Sequence, residues 1–133
     1  MILGPEKFRR MPWANGRGMT VEMLRLEDAE GLVLRISRAQ VVEDGDFSVL
    51  PGIQRNLTVL TGPGFRLEGQ GLRLTCAPLV PVAFDGGLAL RAVAVAGPSE
   101  DFNVMLRAGL PAPEVRVAGP GAVLAGALVL AYG

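Results

Sequence analysis

The sequence contains no histidine, one lysine (Lys7), one cysteine (Cys76) and one tryptophan (Trp13) in 133 residues. Each shortage removes a class of function. Without histidine, the commonest metal ligand and the commonest general base are gone. A single cysteine cannot close an intramolecular disulfide. The 13 basic residues balance 13 acidic ones to a formal charge of zero and are scattered singly along the chain. The footprint of a nucleic-acid or anionic-membrane binder is therefore missing, and neither nucleic acid nor membrane is an expected partner. The apolar run from Ala122 to Tyr132 is far short of the roughly 20 residues of a spanning helix and reads as a buried terminal strand. Residues Met1 to Glu6 lack the charged start and apolar run of a signal peptide, which with the lone cysteine gives a cytoplasmic expectation. Aromatics make up only 5% of the chain, so the core must come from Val, Leu, Ile and Ala, with Phe8, Phe47, Phe65, Phe84 and Phe102 as occasional bulk.

What is plentiful is punctuation: 18 glycines and 10 prolines interrupt the chain at short intervals, and no window sustains a helical period. Thr20 to Leu26 and Gly31 to Ala39 alternate as half-buried strands do, with Leu32, Leu34 and Ile36 on one face and Val33, Arg35 and Ser37 on the other. Ile53 to Leu60 is a further strand closed by Thr61-Gly62-Pro63-Gly64. Phe65 to Glu68 and Leu72 to Cys76, joined by Gly-Gln-Gly at 69 to 71, form a hairpin. Asp85-Gly86-Gly87 starts another turn. Leu88 to Ala96, Phe102 to Arg107, Glu114 to Ala118 and Ala122 to Tyr132 bring the total to about ten short strands. Short strands at regular spacing with Gly/Pro turns predict an all-β sandwich or barrel in one domain, 1–133. The acidic run Glu27-Asp28-Ala29-Glu30 fits a solvated hairpin tip.

Three groups of residues could carry chemistry. The stretch Pro12-Trp13-Ala14-Asn15-Gly16-Arg17-Gly18-Met19-Thr20-Val21-Glu22 packs the only Trp, an Asn and two spaced glycines into a turn that runs into a strand. It is not a phosphate loop, because no strand-to-helix context surrounds it. Arg35 and Ser37 project together from one strand, Glu22 ends the Asn-Gly-Arg-Gly loop, and Arg55 follows Pro51-Gly52. Inside a barrel these would converge on a cavity whose guanidinium forks suit a small acid or amide. An internal salt bridge of Glu22 with Arg35 or Arg55 would account for the same residues. Asp101 and Asn103 flank Phe102 and point the same way while Phe102 points into the core; an Asx-type turn at Asp101 is the plainer reading.

These residues resemble the HutD/Ves family of bacterial cupin-like proteins. The matching blocks are Pro12-Trp13-x-Asn15-Gly16-x-Gly18-x-Thr20-x-Glu22, Arg35-Ile36-Ser37-x-Ala39, Asp44-Gly45-x-Phe47-Ser48-x-x-Pro51-Gly52-x-x-Arg55-x-Leu57, Phe84-Asp85-Gly86 and Asp101-Phe102-Asn103-Val104-Met105. Each is weak alone, but their order across residues 12–107 and the rare Trp-Asn-Gly and Asp-Phe-Asn combinations make the match specific. The resemblance implies a cupin-like antiparallel β-barrel or jelly roll, in family members built as two barrel-like halves in one compact unit. It also implies an accessory or regulatory role in histidine utilisation. It implies no metal and no cofactor: cupin enzymes usually hold a metal through histidine, and this chain has none. Carried over residue by residue, Trp13, Asn15, Thr20, Glu22, Arg35, Ser37, Arg55, Asp101 and Asn103 become the ligand-binding set, with Glu22, Arg35, Ser37 and Arg55 lining the pocket and Trp13 and Asn15 at its rim. After Arg107 the resemblance weakens, because residues 108–133 are short and poor in polar groups beside the second half of family members.

The expected function is binding of a small carboxylate, an intermediate of histidine breakdown among them. The alternative is a metal-independent isomerase, lyase or hydrolase with Glu22 as general base at a raised pKa and Arg35 or Arg55 stabilising an anion. A third reading is an interaction module in which apolar strand edges with so few lysines pair as a homodimer.

Overall fold

The computed structural model describes residues 8–12 and 18–117 and is all-β. Ten strands lie in two antiparallel sheets. The larger has the order β1 (Arg9–Pro12), β2 (Met19–Asp28), β3 (Gly31–Val41), β10 (Ser99–Arg107), β5 (Ile53–Thr61), β8 (Val82–Asp85). The smaller has the order β4 (Gly45–Asp46), β9 (Arg91–Val93), β6 (Phe65–Gly69), β7 (Leu72–Cys76). The return of β10 between β3 and β5 is a long-range crossover of the kind jelly rolls use to cover their sheets.

Period-2 alternation assigns each strand's residues to two environments. On β5, Leu57 and Val59 point between the sheets and are fully buried; with Val41, Phe65, Leu67, Cys76, Leu90 and Ala92 they form the main core. The other face of the large sheet carries a second cluster, Met23, Ile36 and Val104, against which Phe8, Leu24, Leu34, Phe102 and Val115 pack. A register shift between Glu22 and Leu24 makes Met23 an extra residue opposite β3. The bulge lets Met23 and Leu24 both join this second cluster while Glu22 stays opposite Ser37.

The turns follow from their residues. Gln70 and Gly71 both have positive φ (48° and 79°), and Gly69 pairs with Leu72, which is the two-residue type I′ geometry that matches strand twist. Gly62 sits at φ 92°, where a Cβ would stand 2.2 Å from the Pro98 carbonyl oxygen, so glycine is required for the β5–β6 turn to dock on β10. The acidic tip is a solvated turn with an anchor: the Asp28 carboxylate accepts the Glu30 amide at 2.9 Å and both terminal nitrogens of Arg107 at 2.8 and 2.7 Å.

Several expectations need correction. The strand expected over Leu88 to Ala96 shrinks to Arg91–Val93, because Ala94 adopts φ 57° and the Val95 amide leaves the ladder to bond Asp44. Residues 114–117 form no strand; Val115 packs on the second cluster instead. The expected strand at Ala122 to Tyr132 lies outside the described residues, as does most of the 108–133 segment. Strands β1, β4 and β8 were not anticipated: each has four residues or fewer, too few for an alternation to register. Residue Asp101 is inside β10, paired with Ala39 and Val59, and not in a turn. The described residues make one two-sheet unit, without a second barrel-like half among them.

Candidate functional site

Strand register brings separate sequence blocks into rows across the inner face of the large sheet. One row runs Thr20, Ala39, Asp101, Val59; the next runs Glu22, Ser37, Asn103, Leu57; the third runs Arg35, Met105, Arg55, Phe84. Toward the β7 and β8 side the space between the sheets is filled with apolar side chains. Toward β3 and the 42–48 loop it opens into a cavity of about 530 Å³. Thr20, Arg35, Ser37, Arg55, Asp101 and Asn103 line it, together with Glu43, Asp44, Asp46 and Phe47.

Arg55 is 7% exposed and sandwiched between Phe47 and Phe84, whose ring centroids lie 5.5 and 5.2 Å from its guanidinium carbon. Its hydrogen bonds are long: 3.4 Å to the Ser48 carbonyl oxygen and 3.5 Å to Asn103 Oδ1. Its Nε has no partner, and among the described residues no carboxylate lies within 4.0 Å. Burial lowers its pKa, an effect that Asp101 opposes and Arg35 reinforces. A desolvated guanidinium with spare donors is an incomplete anion site.

Asp101, 1% exposed, faces the same space. It accepts from Asn103 Nδ2 at 2.8 Å and from the Ala39 amide, yet burial pushes its carboxyl up to about 7, against the pull of Asn103 and Arg55. Asn103 thus bridges Arg55 on its oxygen and Asp101 on its nitrogen, which fixes the orientation of its amide.

Arg35 and Glu22 behave differently. Arg35 Nε donates to Glu22 Oε1 at 2.8 Å, and an Arg25 terminal nitrogen reaches the same oxygen at 3.2 Å. Burial of Glu22 disfavours its charge, but the bonds from Arg35 and Arg25 outweigh it and hold the carboxyl below its usual range. Glu22 stands behind Arg35 and not among the cavity-lining residues. The expected Glu22–Arg35 bridge is present, and the raised pKa expected of a Glu22 base is not. Ser37 is buried beside Asn103, and Thr20 lies half-buried in the lining. Trp13 and Asn15 lie outside the described residues.

Phe47, Phe84 and the acids of the 42–48 loop belong to the site but were not expected there. Phe47, Phe84 and Asp44 lie in blocks shared with the resembling family, which was the available signal; Glu43 and Asp46 gave none. Among the described residues no group of three or more His, Cys, Asp or Glu side chains is placed to hold a metal ion.

A family model described as HutD matches residues 5–129. An uncharacterised 21.2 kDa protein of Pseudomonas putida, encoded in the hutC 3′ region, is 39% identical over 111 residues, covering 78% of this chain and 56% of its own length. The solved structure of HutD from Pseudomonas fluorescens superposes with a TM-score of 0.72 at 35% identity, over 80% of this chain and 59% of that one. The chain therefore spans a little over half the length of these relatives. A cupin superfamily protein from Desulfitobacterium hafniense shares the fold alone, with a TM-score of 0.54 at 12% identity over 74% of this chain and 91% of that one.

Proposed function

Because this chain belongs to the HutD family, we propose that it is a small-carboxylate binding protein of cupin fold that serves histidine utilisation as an accessory or regulatory factor. The observation that carries the reading is Arg55: a guanidinium 7% exposed, lining the cavity, with an unpartnered Nε and no carboxylate within 4.0 Å among the described residues. A ligand carboxylate seated on it would supply the missing counter-charge and convert two long contacts into charge-assisted bonds. Glu22 already neutralises Arg35, which leaves Arg35 as a second, weaker donor. Ser37, Thr20 and Asn103 offer the hydroxyl and amide groups that orient the rest of the molecule. The naming of one relative as HutD and the hutC-region location of another support the metabolic setting.

The test is a thermal-shift screen of the purified protein against urocanate, formiminoglutamate, formylglutamate and glutamate, repeated on Arg55→Met. Stabilisation that Arg55→Met abolishes supports the reading; no shift with any compound at millimolar concentration counts against it.

One observation favours a second reading, an enzyme. Asp101, in the cavity with a pKa near 7, is poised to exchange a proton with a bound ligand, a role that Glu22, held ionised by two arginines, does not fit. Turnover of a panel compound that Asp101→Asn removes while binding persists would establish it.

A further inference from the structure

Arg35 and Arg55 are the guanidinium groups among the described residues that line the cavity, and Arg35 is already paired with Glu22 at 2.8 Å. Arg55 is thus left to serve both a ligand carboxylate and Asp101. Asp101, 1% exposed, reaches Arg55 only through Asn103, whose Nδ2 donates to it at 2.8 Å and whose Oδ1 accepts from Arg55 at 3.5 Å. Its other bond, from the Ala39 amide, brings a dipole and no charge. Once a ligand carboxylate is seated on Arg55, one buried cation therefore faces two carboxylates across a single amide.

The other charged and titratable groups around Asp101 leave that imbalance in place. On its own strand β10, Glu100 adds negative charge and meets Arg38 of β3 at 3.4 Å. From β3 the cavity receives Arg35, with Glu22 of β2 behind it. From β7, Cys76 feels the Asp101 charge, and its thiol, pushed up to about 12 chiefly by burial, is neutral. Across the cavity the 42–48 segment presents Glu43, Asp44 and Asp46, exposed and of the same sign as Asp101.

Two carboxylates that share a desolvated site do not both stay ionised. The one held directly by the guanidinium keeps its charge, and the one that meets it only through an amide is protonated. We infer that the cavity takes up its carboxylate ligand together with one proton from solvent, and that Asp101 holds this proton. The inference rests on the carboxylate-site reading of Arg55 and adds the proton that binds with the ligand. No bond within the ligand is made or broken, so the coupling is separate from turnover. Burial already pushes the Asp101 carboxyl up to about 7 in the free protein, which places the coupling near neutrality. Protonated, Asp101 still has an oxygen to accept from Asn103. Occupancy consequently declines as pH rises through neutrality, because the proton that accompanies the ligand becomes scarcer.

The experiment is isothermal titration of the full chain with butyrate and with hexanoate at about pH 6, 7, 8 and 8.5, on the wild type, Arg55→Met and Asp101→Asn. Both probes stay ionised throughout, since ordinary carboxylic acids titrate at about pH 4 to 5. Each titration is run in two buffers of different ionisation enthalpy, so that the difference in heat gives the protons taken up per ligand. Wild-type uptake should be small at pH 6, where Asp101 is already protonated, and should approach about one proton at pH 8.5. Affinity should fall in step, by up to about tenfold per pH unit above about pH 7.5. In Asp101→Asn uptake should vanish and affinity stay level with pH. The α-amino group, which also titrates in this range, is common to both proteins. Binding that needs Arg55 but takes up no proton at pH 8 to 8.5 overturns the coupling and leaves the carboxylate site standing. That wild-type result decides the matter even where Asp101→Asn does not fold. Uptake that persists undiminished in Asp101→Asn likewise overturns the assignment to Asp101. No binding by either probe, or binding indifferent to Arg55→Met, overturns both.

Discussion

Replacing Asp101 by asparagine should change how stability depends on pH more than it changes the fold. The wild-type carboxyl is 1% exposed and moves from an ordinary value of 3.8 in the unfolded chain to about 7 in the folded one. An acid whose pKa is higher folded than unfolded holds more protons in the native state across the interval between the two values, so stability declines as pH climbs through it. The full shift corresponds to about 4 kcal/mol, of which roughly 2 to 3 kcal/mol is lost between pH 5 and pH 8. That window isolates the group. The sequence has no histidine, Cys76 is pushed up to about 12, and Glu22 and Asp28 are held below their usual range, so their contributions are already complete at pH 5. Asparagine keeps an oxygen that can accept from Asn103. Urea unfolding followed by circular dichroism at pH 5, 6, 7 and 8 gives the midpoint at each pH, with the slope m unchanged. The wild-type midpoint should fall with pH, while that of Asp101→Asn should stay level and exceed the wild type at pH 8. A level wild-type profile, or the same decline in the variant, would refute the placement of a buried, proton-poised acid at this site.

Other perturbations probe the frame around it. Arg55→Met exchanges a buried charge that lacks a carboxylate for an apolar chain of similar reach, so stability should stay within about 1 kcal/mol of wild type or rise, whereas a loss above about 3 kcal/mol in urea unfolding would mark Arg55 as structural. Thr58 is 2% exposed and its Oγ1 has no partner, so Thr58→Val should be neutral or stabilise by about 1 kcal/mol; a clear loss would reveal a hydrogen bond to that hydroxyl. Gly62→Ala combines φ 92° with a Cβ placed 2.2 Å from the Pro98 carbonyl and should cost about 2 to 4 kcal/mol. Gly52→Ala, with φ 76° but nothing within 4 Å, should cost only about 1 kcal/mol. Equal losses at the two glycines would contradict the close packing of the β5–β6 turn on β10.

The all-β class and the long strands were legible because alternation over nine or more residues is hard to mistake, as in β2, β3 and β5. The short strands were not: two residues at Gly45–Asp46 carry no period, and they pair only because β9 lies alongside. The residues Arg35, Ser37, Arg55, Asp101 and Asn103 were grouped by motif membership, and the antiparallel register explains why they line one cavity, since the three strands β3, β10 and β5 set them in adjacent rows. What the linear sequence could not show is which carboxylate pairs with which cation. Glu22 read as a pocket or salt-bridge acid and Asp101, taken alone, as a turn residue. Glu22 stays opposite Ser37, the bulge at Met23 sets Arg25 opposite Arg35, and both arginines donate to the Glu22 carboxylate, while β10 leaves Asp101 accepting a hydrogen bond from the Asn103 side chain with no ion pair among the described residues. Their charge states therefore separate in opposite directions. Likewise the acids of the 42–48 loop read as ordinary solvated residues until the loop is folded against the cavity.

The most direct test of the carboxylate site is a crystal of this protein grown with a bound small monocarboxylate, butyrate or hexanoate. The account predicts a carboxylate inside the cavity with an oxygen about 2.7 to 3.1 Å from the Arg55 guanidinium and the rings of Phe47 and Phe84 still flanking it. A carboxylate bound elsewhere on the surface, with Arg55 satisfied by a protein acid or by water alone, would contradict it.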